Sequence, residues 1–117
     1  MSINERIVSL EEIINCPVKA DVYEGSAKKY ITYTLEDERS ALNADDEEQM
    51  TVTYLQVTLY TDPGENYMED KRRIKEQLKK LDFCVESIQS WVDSLSPERK
   101  RHTVFNINIT LPEKEEE

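Results

Sequence analysis

The chain has 117 residues, enough for one domain with a single core, and its composition is 38% hydrophobic and 34% charged. A formal net charge of −10 and a pI near 4.6 exclude a basic phosphate-binding surface, because affinity for nucleic acid comes from Lys and Arg displacing counterions. Cys16 and Cys84 lie far apart with one histidine, His102, so the spacing of neither a zinc site nor a disulfide framework is present. Both cysteines read as small apolar side chains in a reducing compartment. No basic start followed by an apolar run marks a signal peptide, and no stretch approaches membrane-spanning length, which predicts a cytoplasmic protein without membrane contact.

In chain order, Ser2 predicts an N-cap, and Ile3, Ile7, Leu10 and Ile14 follow at helical spacing on one face. Pro17 ends that helix by Cys16. Residues 18–23 alternate as a short strand, with Val18, Ala20 and Val22 on one side, and the Gly25 loop leads into a second strand-like run over residues 30–35. A third run over residues 51–61 places Leu55, Val57 and Leu59 on one face and Tyr54, Gln56, Thr58 and Tyr60 on the other. The polar, acidic connector between the two runs, residues 36–50, has neither Gly nor Pro for a tight turn, so it reads as a long excursion of the kind that carries function.

Asp62-Pro63-Gly64 punctuates the chain, and a helix is predicted over residues 67–81 with Tyr67, Ile74, Leu78 and Leu81 on one stripe. Glu69 and Asp70 at its start and lysines at its end match the helix dipole. Residues 83–95 have no helical stripe and an alternation that slips, which predicts a strand with a bulge, carrying Trp91. A polar hairpin loop over residues 96–100 precedes the clearest strand, with Phe105, Ile107, Ile109 and Leu111 on one face. Residues 113–117 form an acidic tail expected to be disordered. The resulting expectation is one α+β domain over residues 1–112. Its order is α-β-β-β-α-β-β, with a mainly antiparallel sheet of four or five strands and both helices packed on one face.

Val18-x-Ala20, the Gly25 loop, Tyr30-Ile31-Thr32-Tyr33, Ala44-Asp45-Asp46 and Val57-x-Leu59-Tyr60-Thr61, followed by an amphipathic helix and two strands, resemble a known family. They are similar to the tail-terminator or tail-completion proteins of long-tailed bacteriophages and prophages, over residues 17–111. The resemblance implies a structural protein without catalytic residues that assembles as a ring, usually a hexamer, on the tail tube. There it would stop tube growth and dock the head connector. The implied partners are further copies of the chain, the tube protein and the connector protein. The implied locations are the host cytoplasm during assembly and then the neck of the virion.

A long strand with a polar and aromatic face suits edge-to-edge pairing with another copy. Asp45, Asp46, Glu47 and Glu48 in a ring lumen would let DNA pass without sticking. The same cluster lacks the alternating ligand spacing and mid-loop glycine of a calcium loop, and contiguous acids in a loop do not supply the divergent environments acid-base catalysis needs, so no metal or cofactor is expected. Tyr54 and Tyr60 are aromatic interface candidates, with Trp91, Tyr23, Tyr30 and Tyr33 divided between core and surface. Arg99, Lys100 and Arg101 form a short basic island suited to acidic residues of a neighbour, or simply to keeping the hairpin soluble. His102 beside them reads as a surface histidine, and the basic stripe from Lys71 to Lys80 as a solvated face that in a ring meets the acidic connector. The rival expectation is a cytoplasmic regulatory α+β domain that binds a small molecule or peptide. A hydrolytic enzyme ranks third, for want of a phosphate loop, nucleophile motif or metal-ligand pair.

Overall fold

The computed structural model describes residues 1–41, 50–95 and 97–112. It is an α+β fold built on a five-stranded, mostly antiparallel mixed sheet in the order β1-β2-β3-β5-β4. The elements are α1 (Ile3–Val8), α2 (Leu10–Ile14), β1 (Val18–Ala20), β2 (Tyr30–Ala41), β3 (Met50–Thr61), α3 (Met68–Lys80), β4 (Cys84–Val92) and β5 (Arg101–Pro112).

The predicted first helix is two short helices. Ser2 caps α1 through a reciprocal box with Glu5, but the Ser9 hydroxyl donates to the Arg6 carbonyl at 2.6 Å, and Ser9 both ends α1 and starts α2. A serine hydroxyl bonded to backbone inside a helix competes with the helical ladder, which accounts for the break. Asn15 then closes α2 in the left-handed region at φ 59°. β1 is shorter than the alternation suggests, because Asp21 adopts φ 61° and turns the chain away. It pairs parallel with β2, Val18 against Ile31, and the other strand pairs are antiparallel.

The largest difference lies in the connector. Residues 36–41 are not a loop but the second half of a 12-residue strand, paired with Met50–Tyr54 across a bulge between Leu35 and Asp37. Acidic residues are poor strand formers alone, yet contacts across and along the strand compensate: the Arg39 guanidinium lies 5.6 Å from the Tyr54 ring centroid on β3 and 2.8 Å from Asp37 within β2. Asp45, Asp46, Glu47 and Glu48, and the tail over 113–117, fall outside the described residues. The bulge expected near the start of the fourth strand is present between Val85 and Ser87.

Alternating strand residues build the core. Ile31, Tyr33, Leu55, Val57, Leu59, Phe105, Ile107, Ile109 and Leu111 join Ile3, Ile7, Leu10 and Ile14 of the first helices and Ile74 and Leu78 of α3 in one buried cluster. A chain of this length has room for one such cluster, and each fully buried aliphatic side chain contributes about 1.5–3 kcal/mol by leaving water. Cys16 belongs to the cluster, whereas Cys84 is exposed on β4. Cys84 pairs with Asn108, which pairs with Tyr54, so it stands on the face of the sheet opposite the core.

Candidate functional site

The face opposite the core is organised in rows set by register. Tyr30 pairs with Tyr60, Tyr60 with His102, and His102 with Trp91, so four strands contribute one ring each to a single row. Tyr23, from the segment after β1, extends it. The ring centroids are 4.4 Å apart for Tyr23 and Tyr30, 4.6 Å for Tyr30 and Tyr60, 4.7 Å for Tyr60 and His102, and 5.5 Å for His102 and Trp91. Each such pair adds roughly 0.5–1.5 kcal/mol beyond area burial. Most ring faces are taken up by neighbouring rings, so the row does not present a ladder of free faces on which bases could stack. Trp91 remains 46% exposed at its far end.

Gly25 makes the near end possible. A Cβ there would overlap the Tyr23 ring, which lies across the loop and accepts a hydrogen bond from the Ala27 amide at 2.9 Å through its hydroxyl. Beyond the aromatic row the face turns polar. Gln56 donates to Asn106 at 3.3 Å and Asn106 to Ser87 at 3.0 Å, a cross-strand amide and hydroxyl chain.

The residues singled out in the sequence scatter. Tyr60 is in the aromatic row and Tyr54 lies further along the same face under Arg39. The basic triplet does not act as a patch. Arg99 is exposed in the β4–β5 loop with φ 50°. Lys100 turns inward, bonding Asp62 at 2.8 Å and the Lys28 carbonyl, and its amine lies 5.9 Å from the Tyr30 ring centroid. Its amine holds the Asp62 carboxyl below the ordinary carboxylate range, chiefly through that hydrogen bond. Arg101 points to the core side of the sheet, stacked over the Tyr67 ring at 4.5 Å and donating to the Ser90 hydroxyl at 3.2 Å. His102 stands on the sheet face opposite the core, half-buried in the row with Asp93 at 3.8 Å.

Two further features were not legible in the sequence. A cavity of about 310 Å³ opens between the loop before β2, the β3–α3 loop and the start of α3, lined by Lys28, Lys29, Thr61, Asp62, Glu65 and Asp70. Lys29 bonds Asp70 at 3.1 Å across it, and the buried Thr61 hydroxyl has no hydrogen-bond partner among the described residues. The second feature is the free stretch of β2. Thr34 to Ser40 are exposed although they form strand on both sides of the bulge, and Leu35 is 49% exposed near the start of the stretch. Spacing alone gave no signal for either, because both depend on which segments the register brings side by side.

No known protein-family model matches the chain, and no curated protein sequence matches it significantly.

Proposed function

We propose that this chain is a structural assembly subunit, a tail-terminator-like protein that caps the tail tube of a long-tailed bacteriophage or prophage as a ring and forms the docking surface for the head connector. The observation that supports it most is the second half of β2: a well-formed strand exposed along its length, longer than its own fold needs, is a surface made for another chain. In this reading α1, α2 and α3 all cover the core face of the sheet and leave the aromatic and amide face for partners. Aromatic residues with few rotamers give contact area at low entropic cost. The chain acts by contact and not by catalysis. DNA passes through the lumen without being held, in keeping with the net charge of −10.

Incubating the purified chain with assembled tail tubes and imaging their ends by electron microscopy tests this. Density capping one end of each tube is expected. Bare tube ends at saturating protein would refute it.

One observation favours the second reading, a regulatory domain with a small-molecule ligand. The buried, unpartnered Thr61 hydroxyl beside the cavity of Lys28, Lys29 and Glu65 has the makings of a small polar site. Ligand-dependent thermal stabilisation lost in Thr61→Val, together with a stable dimer, would favour that reading over the ring.

A further inference from the structure

We propose that the second half of β2, residues 34–41, adds as an antiparallel strand to the free edge of β4 in a second copy of this chain, so that copies join head to tail through one continuous sheet. This rests on the structural-subunit reading and names the contact by which its subunits meet.

The two edges lie at opposite ends of the sheet and match. β1 covers the outer side of β2 only at Ile31, Thr32 and Tyr33, so from Thr34 onward that side of β2 has no partner strand among the described residues. β4 pairs with β5 on one side, and along Cys84–Val92 its other side has no partner strand among the described residues. β2 is antiparallel to β3, β3 to β5 and β5 to β4, so β2 and β4 run in opposite directions. A sheet continued from β4 of one copy into β2 of the next is therefore antiparallel, the pairing with the more favourable hydrogen-bond geometry.

Charge decides against the symmetric alternatives. A β2–β2 junction would set Glu36, Asp37 and Glu38 of one copy against the same residues of another, with only Arg39 to offset them. A β4–β4 junction would bring together two copies of the groove between α3 and β4, which is lined by Met68, Lys71, Arg72, Lys75 and Ile88 with Glu69. Arg72 is already held by Glu69 at 2.6 Å and Glu76 at 2.9 Å, whereas Lys71 and Lys75 have no ion-pair partner among the described residues. The unlike junction places acid beside base. Leu35 and Glu38 pair with Leu55 and Thr53, so both stand on the core side of the sheet, the side on which this groove flanks β4. Glu38 then meets Lys71 and Lys75, and Leu35 covers Met68, itself 54% exposed. Joined head to tail, unlike edges leave one β2 edge and one β4 edge open on any open dimer, so a heterologous contact adds copies until the rotation closes a ring.

Native Cys84 gives the test its reporter. Ala41 pairs with Met50, on the same face as Val52, Tyr54 and Cys84, so Ala41→Cys puts a second thiol on that face. Oxidising the full-length Ala41→Cys chain at high concentration should give a ladder of cross-linked species beyond the dimer. Cys84→Ser in the same background should abolish it. Glu38→Lys should lower the yield about tenfold, and adding Lys71→Glu with Lys75→Glu should restore it. Absence of cross-linked products, products that stop at a dimer and persist without Cys84, or a yield indifferent to the charge changes would each overturn the inference. Tube capping by a chain that gives no ladder would sink this contact and leave the proposed function standing; a ladder with bare tube ends would do the reverse.

Discussion

At the scale of single residues, the aromatic row depends on one glycine. Tyr23 can lie over residue 25 only because no Cβ is there, and its place is fixed by the Tyr30 ring and the Ala27 amide. Gly25→Ala forces the ring out, with loss of one stacked pair and one hydrogen bond, together about 1–2 kcal/mol. Urea unfolding should show that loss, and Tyr23→Ala should make it redundant: the double variant should be no less stable than Tyr23→Ala alone. A double variant that lost both costs independently would mean that Gly25 serves the backbone and not the ring. The sequence marks Gly25 as a loop residue and divides the tyrosines between core and surface, but nothing in its spacing pairs them. Their contact depends on a β1 that ends after Ala20, where Asp21 turns the chain.

At the scale of elements, alternation located the long strands β3 and β5 but overran β1, and composition misled over residues 36–41. β3 and β5 were legible because period-two apolar residues coincide with the buried face, and the β4 bulge was legible because the alternation slips there. Residues 36–41 belong to the polar, acidic stretch without Gly or Pro that suggests a long excursion, a local signal that pairing with β3 overrides. The break at Ser9 was hidden by an unbroken apolar stripe, since periodicity reports the buried face and not the hydrogen bonds. The exposed stretch of β2, here called the arm, and the core should therefore respond differently to the same change. Leu55 and Leu35 face each other across β2 and β3, yet Leu55 is fully buried and Leu35 is half exposed. Leu55→Ala should cost about 2–5 kcal/mol through lost burial and cavity formation. Leu35→Ala should cost less than about 1 kcal/mol in the isolated chain. Chemical denaturation of the two variants checks this, and equal losses would show that the arm belongs to the folding core.

At the scale of the whole molecule, the titrating groups decide where the fold is weakest. Asp37 and Asp62 are held below the ordinary carboxylate range by Arg39 and Lys100, so their contribution is present above about pH 4 and fades as pH falls through their lowered values. Both are solvent-accessible, which keeps that acid effect small. The alkaline side differs. Burial pushes the Cys16 thiol from 9.0 to about 11, and burial is also the main reason the Tyr30 and Tyr33 hydroxyls are raised. Between pH 9 and 11 the unfolded chain releases a proton from Cys16 that the folded chain keeps. The unfolded state then binds fewer protons, so stability falls as pH rises. An already negative chain gains further charge over the same range, and self-repulsion acts in the same direction. The melting temperature should hold from pH 6 to 8 and decline steadily towards pH 11, with a shallower decline in Cys16→Ala once its lower starting stability is subtracted. An equal slope in that variant would place the alkaline loss on the tyrosines and the net charge, and would show that the Cys16 thiol is not held neutral by the fold.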